Sequence, residues 1–485
     1  MSDFLAGLDA LFQTLIVKNI EAVIFFDLAF WDDGRPDELE LPAVVCWLGI
    51  AALFFTLRFR FVNVRGFRHG TEVVRGLYTR AGDQGEISPF QALSAALSAT
   101  VGLGNIAGVA TAVGLGGPGA VFWMVLAGAL GMSSKFAEVT LAQMYRVTRV
   151  DGHVSGGGMH YLRAGLRDLG WPRLGAALAA VFAVMCIGAS FGGGNMYQAN
   201  QSFAQFANVV PAFANTGGAV AFGAFLSVLV GLVIIGGIKR IGEVASRLVP
   251  AMCGIYLIAG FAILALHAPE LPAAFATIVR GAFSPDAAFG GFVGVLITGF
   301  RRAGFSNEAG CGSAAIAHSA ATTSEPVRQG MVALLEPFID TVIVCHMTGL
   351  VVVVTGAYTD PEAGSGIAMT SWAFASVFPG FQYVLSLTAF LFAYSTMISW
   401  SYYGEQCWVH LFGLRSLLAY KVIFLLFTWA GAVFAAQAVL DFGDLMILGM
   451  AFPNLVGVVL LSGKINAALE DYFTRLRAGR FQRVR

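Results

Sequence analysis

Charge is what this 485-residue chain has least of. Asp, Glu, Lys and Arg together make up 12% of it, against 57% hydrophobic residues. So apolar a chain cannot wet the surface of a soluble fold, and it reads as a polytopic membrane protein. Formal net charge is zero, with 29 basic and 29 acidic residues, so nothing argues for nucleic acid as a partner. No basic n-region opens the chain, and Asp3 and Asp9 lie where one would be, which argues against a cleaved signal peptide. Cysteine is scarce and unpaired in sequence: Cys46, Cys186, Cys253, Cys311, Cys345 and Cys407 form no CxxC and imply packing, with no disulfide or metal. An HExxH, a P-loop and a nucleophile elbow are all missing, so no enzyme chemistry is legible.

What the chain does have is a repeat. Residues 102–112, GLGNIAGVATA, match residues 304–314, GFSNEAGCGSA, at a constant offset of 202. Gly102, Asn105, Ala107, Gly108 and Ala112 recur as Gly304, Asn307, Ala309, Gly310 and Ala314, and each copy lies inside a long apolar segment. Two glycine-broken apolar segments in corresponding halves suggest a duplicated transporter, since a broken helix leaves backbone groups to hold polar cargo.

Apolar stretches able to cross about 30 Å of hydrocarbon fall near 41–59, 90–116, 118–145, 174–203, 217–238, 248–267, 288–318, 330–357, 380–403, 420–437 and 444–463. The expectation is therefore an all-α fold of eleven spans. Residues 4–30 are interrupted by Asp9, Lys18, Glu21 and Asp27, which favours a helix lying at the interface.

Basic residues collect after every odd-numbered span: Arg58 to Arg80, Arg146 to Arg173, Lys239 to Arg247, Arg328, Arg415, and Lys464 to Arg485. Cytoplasmic loops carry such residues, which puts the N-terminus outside and the C-terminus inside. The plasma membrane, as a bacterial inner membrane, is the expected location. Span two then runs outward and span seven inward, which makes an inverted five-plus-five repeat. The expected organisation is an extracytoplasmic amphipathic segment at 1–40, an additional span at 41–59, a first repeat at 90–267, an inverted second repeat at 288–463, and a basic cytoplasmic tail at 464–485.

Span two is expected to divide near Thr100-Val101-Gly102-Leu103-Gly104-Asn105, where two glycines remove the steric bar to non-helical dihedrals. Half-helix amides attract a carboxylate and half-helix carbonyls attract a cation, so a zwitterion suits both poles. Asn105 either adds a donor to the carboxylate or caps the second half-helix. Asn195, Gln198 and Gln201 recur at spacings of three on one face of span four, as interhelical glue or as a cavity wall with Gln198 foremost. Ser395 and Thr396 on span nine, joined by carbonyls near Ser98 and Val101, would give an all-oxygen site for sodium. Alone, such hydroxyls bond back to the preceding turn. Trp400 either walls a side-chain pocket or anchors at the interface.

Ionisable residues inside spans carry a functional expectation. Lys135 and Glu138 are expected to pair, while Arg301, Arg302 and Glu308 would neutralise one another or act as a gate. Asp340 has no evident role. His346 is either a proton relay or a hydrogen-bonded packing residue.

Several of these stretches are more specific than their spacing. SATVGLGNIAGVATA, GGPGAVFWM, FSNEAGCGSAAIAH, EPFID, FAYSTMISWSYYGE and AFPNL resemble the alanine or glycine:cation symporter family, also called sodium:alanine symporters, over about residues 41–465. The resemblance implies a leucine-transporter-like fold and sodium-coupled uptake of alanine and glycine. It points to Thr100, Gly102 and Asn105, with Gln198 and Trp400, as substrate contacts, with neighbouring Gly104 in the same break, and to Thr396 near sodium. Departures from the family pattern are Val125, Arg301-Arg302-Ala303 with Gly304 displaced, Cys311, Ala315 and His346; they put substrate range and coupling ion in question, the alternative being a proton-coupled or broader-range amino-acid or amine carrier. A channel would need a continuous polar stripe, which the clustering of polar residues at two breaks does not supply. Oligomeric state is not legible.

Overall fold

The computed structural model describes residues 24–29, 40–80, 82–284, 291–434, 436–481 and 483. Most of the expected interfacial helix at 4–30 lies outside the described residues. Those described are almost wholly helical, with a two-stranded hairpin, Val147–Thr148 and Val154–Ser155, as the one sheet among them.

Among the described residues eight helices are long and apolar enough to span a bilayer: Gly119–Met144, Pro172–Val209, Thr216–Ile234, Gly237–Leu266, Pro326–Val354, Phe381–Phe412, Leu414–Val433 and Val439–Arg477. A bent pair, Pro89–Thr100 with Gly104–Gly116, makes nine. That is short of the eleven expected. Ala43–Arg58 has 16 residues, and the second repeat motif divides its segment into Gly291–Asn307 and Ala314–Ser319, neither of spanning length by itself.

The two repeat motifs cross in opposite directions. Arg146 shows this directly, because its guanidinium donates to the carbonyls of Gln84, Ser319, Ala321 and Thr323, at 2.7 to 3.1 Å. The start of the first broken helix and the end of the second therefore share one end of the bundle. Arg60, paired with Glu470 at 3.8 Å, and Arg475, paired with Glu325 at 2.7 Å, sit at this same basic end. At the other end a cavity of about 1580 Å³ opens, lined by Leu115, Gln201, Thr298, Tyr358 and Gln437 among others.

Each break has its own local cause. Ser88 starts the first broken helix with a capping box: its hydroxyl accepts from Gln91 N, and Gln91 Oε1 accepts from Ser88 N. That helix ends at Val101, where ψ is 84°, passes through a π turn at Gly104–Gly108, and changes direction by 53°. Gly102 and Gly104 do not enter the left-handed region. Glycine at 102 is instead a matter of space, since a Cβ there would stand 2.6 Å from Thr396 Oγ1 and 3.0 Å from Gln198 Oε1. The expected dihedral reason holds at the second break, where Glu308, Gly310 and Gly312 have φ of 54°, 97° and 82°. Small residues bring the neighbours close: Gly128 packs on Thr341 and Gly131 on Ala309.

Candidate functional site

The two breaks meet on one short stretch of the helix Pro326–Val354, a π-helical segment at Phe338–Cys345. Asn105 Nδ2 donates to Asp340 Oδ1 at 2.6 Å, and its repeat mate Asn307 donates through Nδ2 to Thr341 Oγ1 at 2.9 Å. Ser306 Oγ and Thr341 Oγ1 also donate to Asp340 Oδ2, at 3.0 and 2.7 Å. Asp340, which had no evident role in the sequence, is thus where the repeat halves converge. Its signals in the sequence were an acid inside an apolar span and its place at the end of the EPFID stretch.

Asn105 fits neither expectation fully. Its Oδ1 accepts from Gly102 N at 2.8 Å, capping backward across the bend, while its amide is given to span eight. Gln198 bridges the first break to the helix Pro172–Val209: Oε1 accepts from Leu103 N at 3.0 Å and Nε2 donates to Gly193 O at 2.9 Å. Asn195, Gln198 and Gln201 do not share a face. The π turn at Gly192–Met196 rotates Asn195 onto Phe424 O, while Gln201 lines the cavity.

Ser98 and Ser395 come together as expected. Ser98 Oγ donates to Ser395 O at 2.7 Å, and Ser395 Oγ lies 3.4 Å from Ser98 O. Thr396 Oγ1 is fully buried and has no partner among the described residues; its neighbour across the gap is Gly102. Val101 is buried and ends the helix beside them, whereas Thr100 bonds back to Ala96 O at 3.2 Å. Trp400 is 1% exposed, which removes the interfacial-anchor reading. Its ring lies against Gly194, where any side chain would collide with it, and its Nε1 donates to Glu308 Oε1 at 3.2 Å.

Two ionisable expectations are corrected. Lys135 pairs with Glu336 at 2.9 Å, and Glu138 instead accepts from Asn454 Nδ2 at 2.7 Å; three residues along a helix gave Lys135 a neighbour, but tertiary packing gave it a closer one. Arg301 and Arg302 do not neutralise Glu308. Both bind Asp444, Arg301 at 3.0 Å, because their helix presents them to the cavity end while Glu308 turns away in the break. His346 is half-buried with its ring 6.1 Å from Phe275, a packing position.

Arg302 and Asp444 line the cavity, as does Tyr197. Phe305 stands behind them: Tyr197 meets it edge-on at 5.3 Å, the Arg302 guanidinium lies over it at 5.5 Å, and a Cβ on Gly104 would be 3.4 Å from its ring. This aromatic and ionic layer separates the first break from the open cavity. At the basic end the path is closed by Arg146 and the bridge between Ile87 and Ala321.

Such an arrangement, a multi-pass bundle whose two broken helices cross oppositely and meet between one open and one closed end, defines a secondary transporter of the leucine-transporter-like kind. Among solved structures, MhsT in complex with L-phenylalanine has this fold, with a TM-score of 0.50 at 15% identity, covering 80% of this chain and 100% of that one. The chain belongs to the sodium:alanine symporter family, whose model matches residues 37–485. It is 40% identical over 429 residues to the sodium/alanine symporter AgcS of Methanococcus maripaludis, covering 87% of this chain and 92% of the relative. A probable sodium/glutamine symporter, GlnT of Bacillus subtilis, is 37% identical over 442 residues, 88% of this chain and 87% of the relative. The protein is a transporter and not an enzyme, as the sequence implied.

Proposed function

We propose that this protein imports a small neutral amino acid, alanine or glycine, together with sodium, by alternating access. It would do so in a plasma membrane, in bacteria the inner one, with the N-terminus outside and the basic end of the bundle in the cytoplasm. The observation that carries this reading is the oxygen cluster where the first broken helix meets Phe381–Phe412. Ser98 and Ser395 exchange contacts there, and the buried Thr396 hydroxyl has no partner among the described residues. A cluster of uncharged oxygen ligands suits a hard cation such as sodium. Beside it, Gly102, Asn105, Gln198 and Trp400 would take the zwitterion, with Thr100 and Gly104 completing the break. An alanine side chain is small enough to lie against Trp400. The layer of Arg302, Asp444, Tyr197 and Phe305 would serve as the gate on the cavity side, and Glu308 would tie Trp400 to the second break.

Sodium bound between Ser395, Thr396 and the carbonyls near Ser98 and Val101 would bridge the two repeats in one arrangement. Ion and substrate that favour the same arrangement strengthen each other's binding. The names of the relatives agree with sodium coupling and with neutral amino acids, one alanine and one glutamine. A proton relay through His346 has no supporting contact. The test is uptake of labelled alanine and glycine by proteoliposomes under separate sodium, potassium and proton gradients. Uptake is expected to need sodium on the substrate side. Equal uptake in potassium would overturn the reading.

A further inference from the structure

At the basic end of the bundle the helix Ala43–Arg58 runs into a turn that its residues do not favour. Arg60 and Phe61 have φ of 51° and 57°, in the left-handed region that side chains other than glycine enter at a cost. Arg60 N donates to Leu57 O at 3.0 Å and Phe61 N to Thr56 O at 2.8 Å, the helix-ending pattern in which glycine ordinarily holds the place of Arg60. Arginine there strains the backbone, and what offsets the strain lies in its side chain.

That side chain stands at a cavity of about 280 Å³ between the turn and the last helix, Ala451–Arg477. Arg60, Arg65 and Arg477 line it together with Phe59, Leu469 and Phe473. The turn brings two of the arginines together, since Arg65 Nη1 donates to Arg60 O at 3.2 Å. Arg65 and Arg477 both lie over the Phe473 ring, their guanidinium carbons 5.1 and 5.9 Å from its centre.

Acid does not balance this charge. Glu470, also at the cavity, is 3.8 Å from Arg60 with both side chains exposed, and it accepts as well from Asn466 Nδ2 at 3.0 Å. Among the described residues Arg65 and Arg477 have no ion pair. Three guanidinium groups therefore face one carboxylate, and an anion seated among them relieves their mutual repulsion.

The surroundings select the anion. Ile50, Leu53 and Leu57, three and four residues apart on Ala43–Arg58, are exposed and form an apolar stripe that runs to the turn. Phe61 and Val64, beside the arginines, are 53% and 72% exposed. A free phosphate makes no use of such a rim, whereas a phospholipid offers a phosphate to the guanidinium groups and acyl chains to the stripe.

We propose that this cavity is the headgroup site of an anionic phospholipid in the leaflet at the basic end, its phosphate held by Arg60, Arg65 and Arg477 and its chains laid along Ile50, Leu53 and Leu57. The lipid so bound ties Ala43–Arg58 to the last helix. That the leaflet is the cytoplasmic one rests on the orientation proposed above; the binding does not.

The test uses full-length protein purified in a neutral detergent and titrated with palmitoyl-oleoyl phosphatidylglycerol, with the matching phosphatidylcholine, or with glycerol 3-phosphate. Native mass spectrometry counts bound lipid, and the melting temperature is followed in parallel. Phosphatidylglycerol is expected to stay bound and to raise the melting temperature, as any ligand of the folded state does; phosphatidylcholine and glycerol 3-phosphate are not. The variant Arg60→Gln with Arg65→Gln and Arg477→Gln should bind phosphatidylglycerol about 100-fold more weakly, at about fivefold per arginine. Arg163→Gln with Arg167→Gln and Arg173→Gln removes as much charge from exposed positions at the same end and should bind as wild type does. Equal affinity in the two triple variants, or equal binding of phosphatidylcholine, overturns the proposal, and stabilisation by glycerol 3-phosphate equal to that by the lipid overturns it in favour of a free phosphate. Should the first triple variant not fold, Glu470→Gln decides, since it removes the one carboxylate at the cavity: binding about fivefold tighter is expected, and unchanged or weaker binding overturns the proposal. None of these readouts involves transport, so their failure leaves sodium symport standing.

Discussion

Gly102→Ala is the most incisive single substitution, because its effect can be worked from distances. The new methyl would meet Thr396 Oγ1 at 2.6 Å, Gln198 Oε1 at 3.0 Å and Gln198 Cδ at 3.4 Å. Cβ atoms do not approach other heavy atoms closer than 3.0 Å, so one neighbour must move. Gln198 is held at both ends, by Leu103 N and Gly193 O, whereas the Thr396 hydroxyl has no partner to lose among the described residues. Thr396 is therefore the residue that yields. Overpacking of this kind costs about 1–3 kcal/mol. Displacing a sodium ligand by the same step should raise the sodium concentration for half-maximal alanine binding by roughly one to two decades, at about 1.4 kcal/mol per decade. Binding of labelled alanine to purified protein, titrated with sodium, measures this for wild type, Gly102→Ala, Thr396→Ala and the double variant. The two changes should be strongly non-additive, with a coupling of about 1–3 kcal/mol for residues in contact. In the double variant thermal stability should recover, since the clash is gone, but sodium affinity should not, since the oxygen is gone too. Additive effects, or a sodium curve for Gly102→Ala superimposable on wild type, would refute the placement of the ion beside Thr396.

Asp444→Asn should leave Arg301 and Arg302 without their carboxylate; a broken buried pair costs about 3–5 kcal/mol, seen as a lowered melting temperature, and Arg302→Met with Asp444→Leu should regain much of it. Between the spans, His160 has its pKa pushed down to about 4, first by burial and then by His410, Arg149 and Arg163. The unfolded chain therefore takes up this proton before the folded one does, so its contribution is intact above about pH 6.5 and is lost as pH falls toward 4; melting curves across that range should be flatter for His160→Gln, and an unchanged acid slope would assign the loss to other groups. Single cysteines introduced between Arg65 and Arg80 and at Asp360 should label from opposite sides of the membrane, the first from the cytoplasm, and labelling of both from one side would remove the proposed orientation.

Sequence alone determined the class of this protein and its symmetry. Membrane helices must be apolar and must satisfy their own backbone, so composition and segment length declare them without reference to any neighbour. The repeat at 102–112 and 304–314 was legible for the same reason: a helix break is a local property, written in the residues that make it. Side-chain partnerships were not legible, because they depend on which helices lie together. Lys135 had an acid three residues away and took Glu336, 201 residues on. Asn195 and Gln198 share a helical spacing and point to different helices, because a π turn adds a residue to the turn between them. Gly102 looked like a conformational glycine and proved to be one of space, set by Thr396 from the far repeat. Asp340 had no meaning until two asparagines, 202 positions apart, both reached the stretch that carries it. In a medium that offers polar groups no water, each must find a partner within the protein, and only the packed bundle decides which one is near.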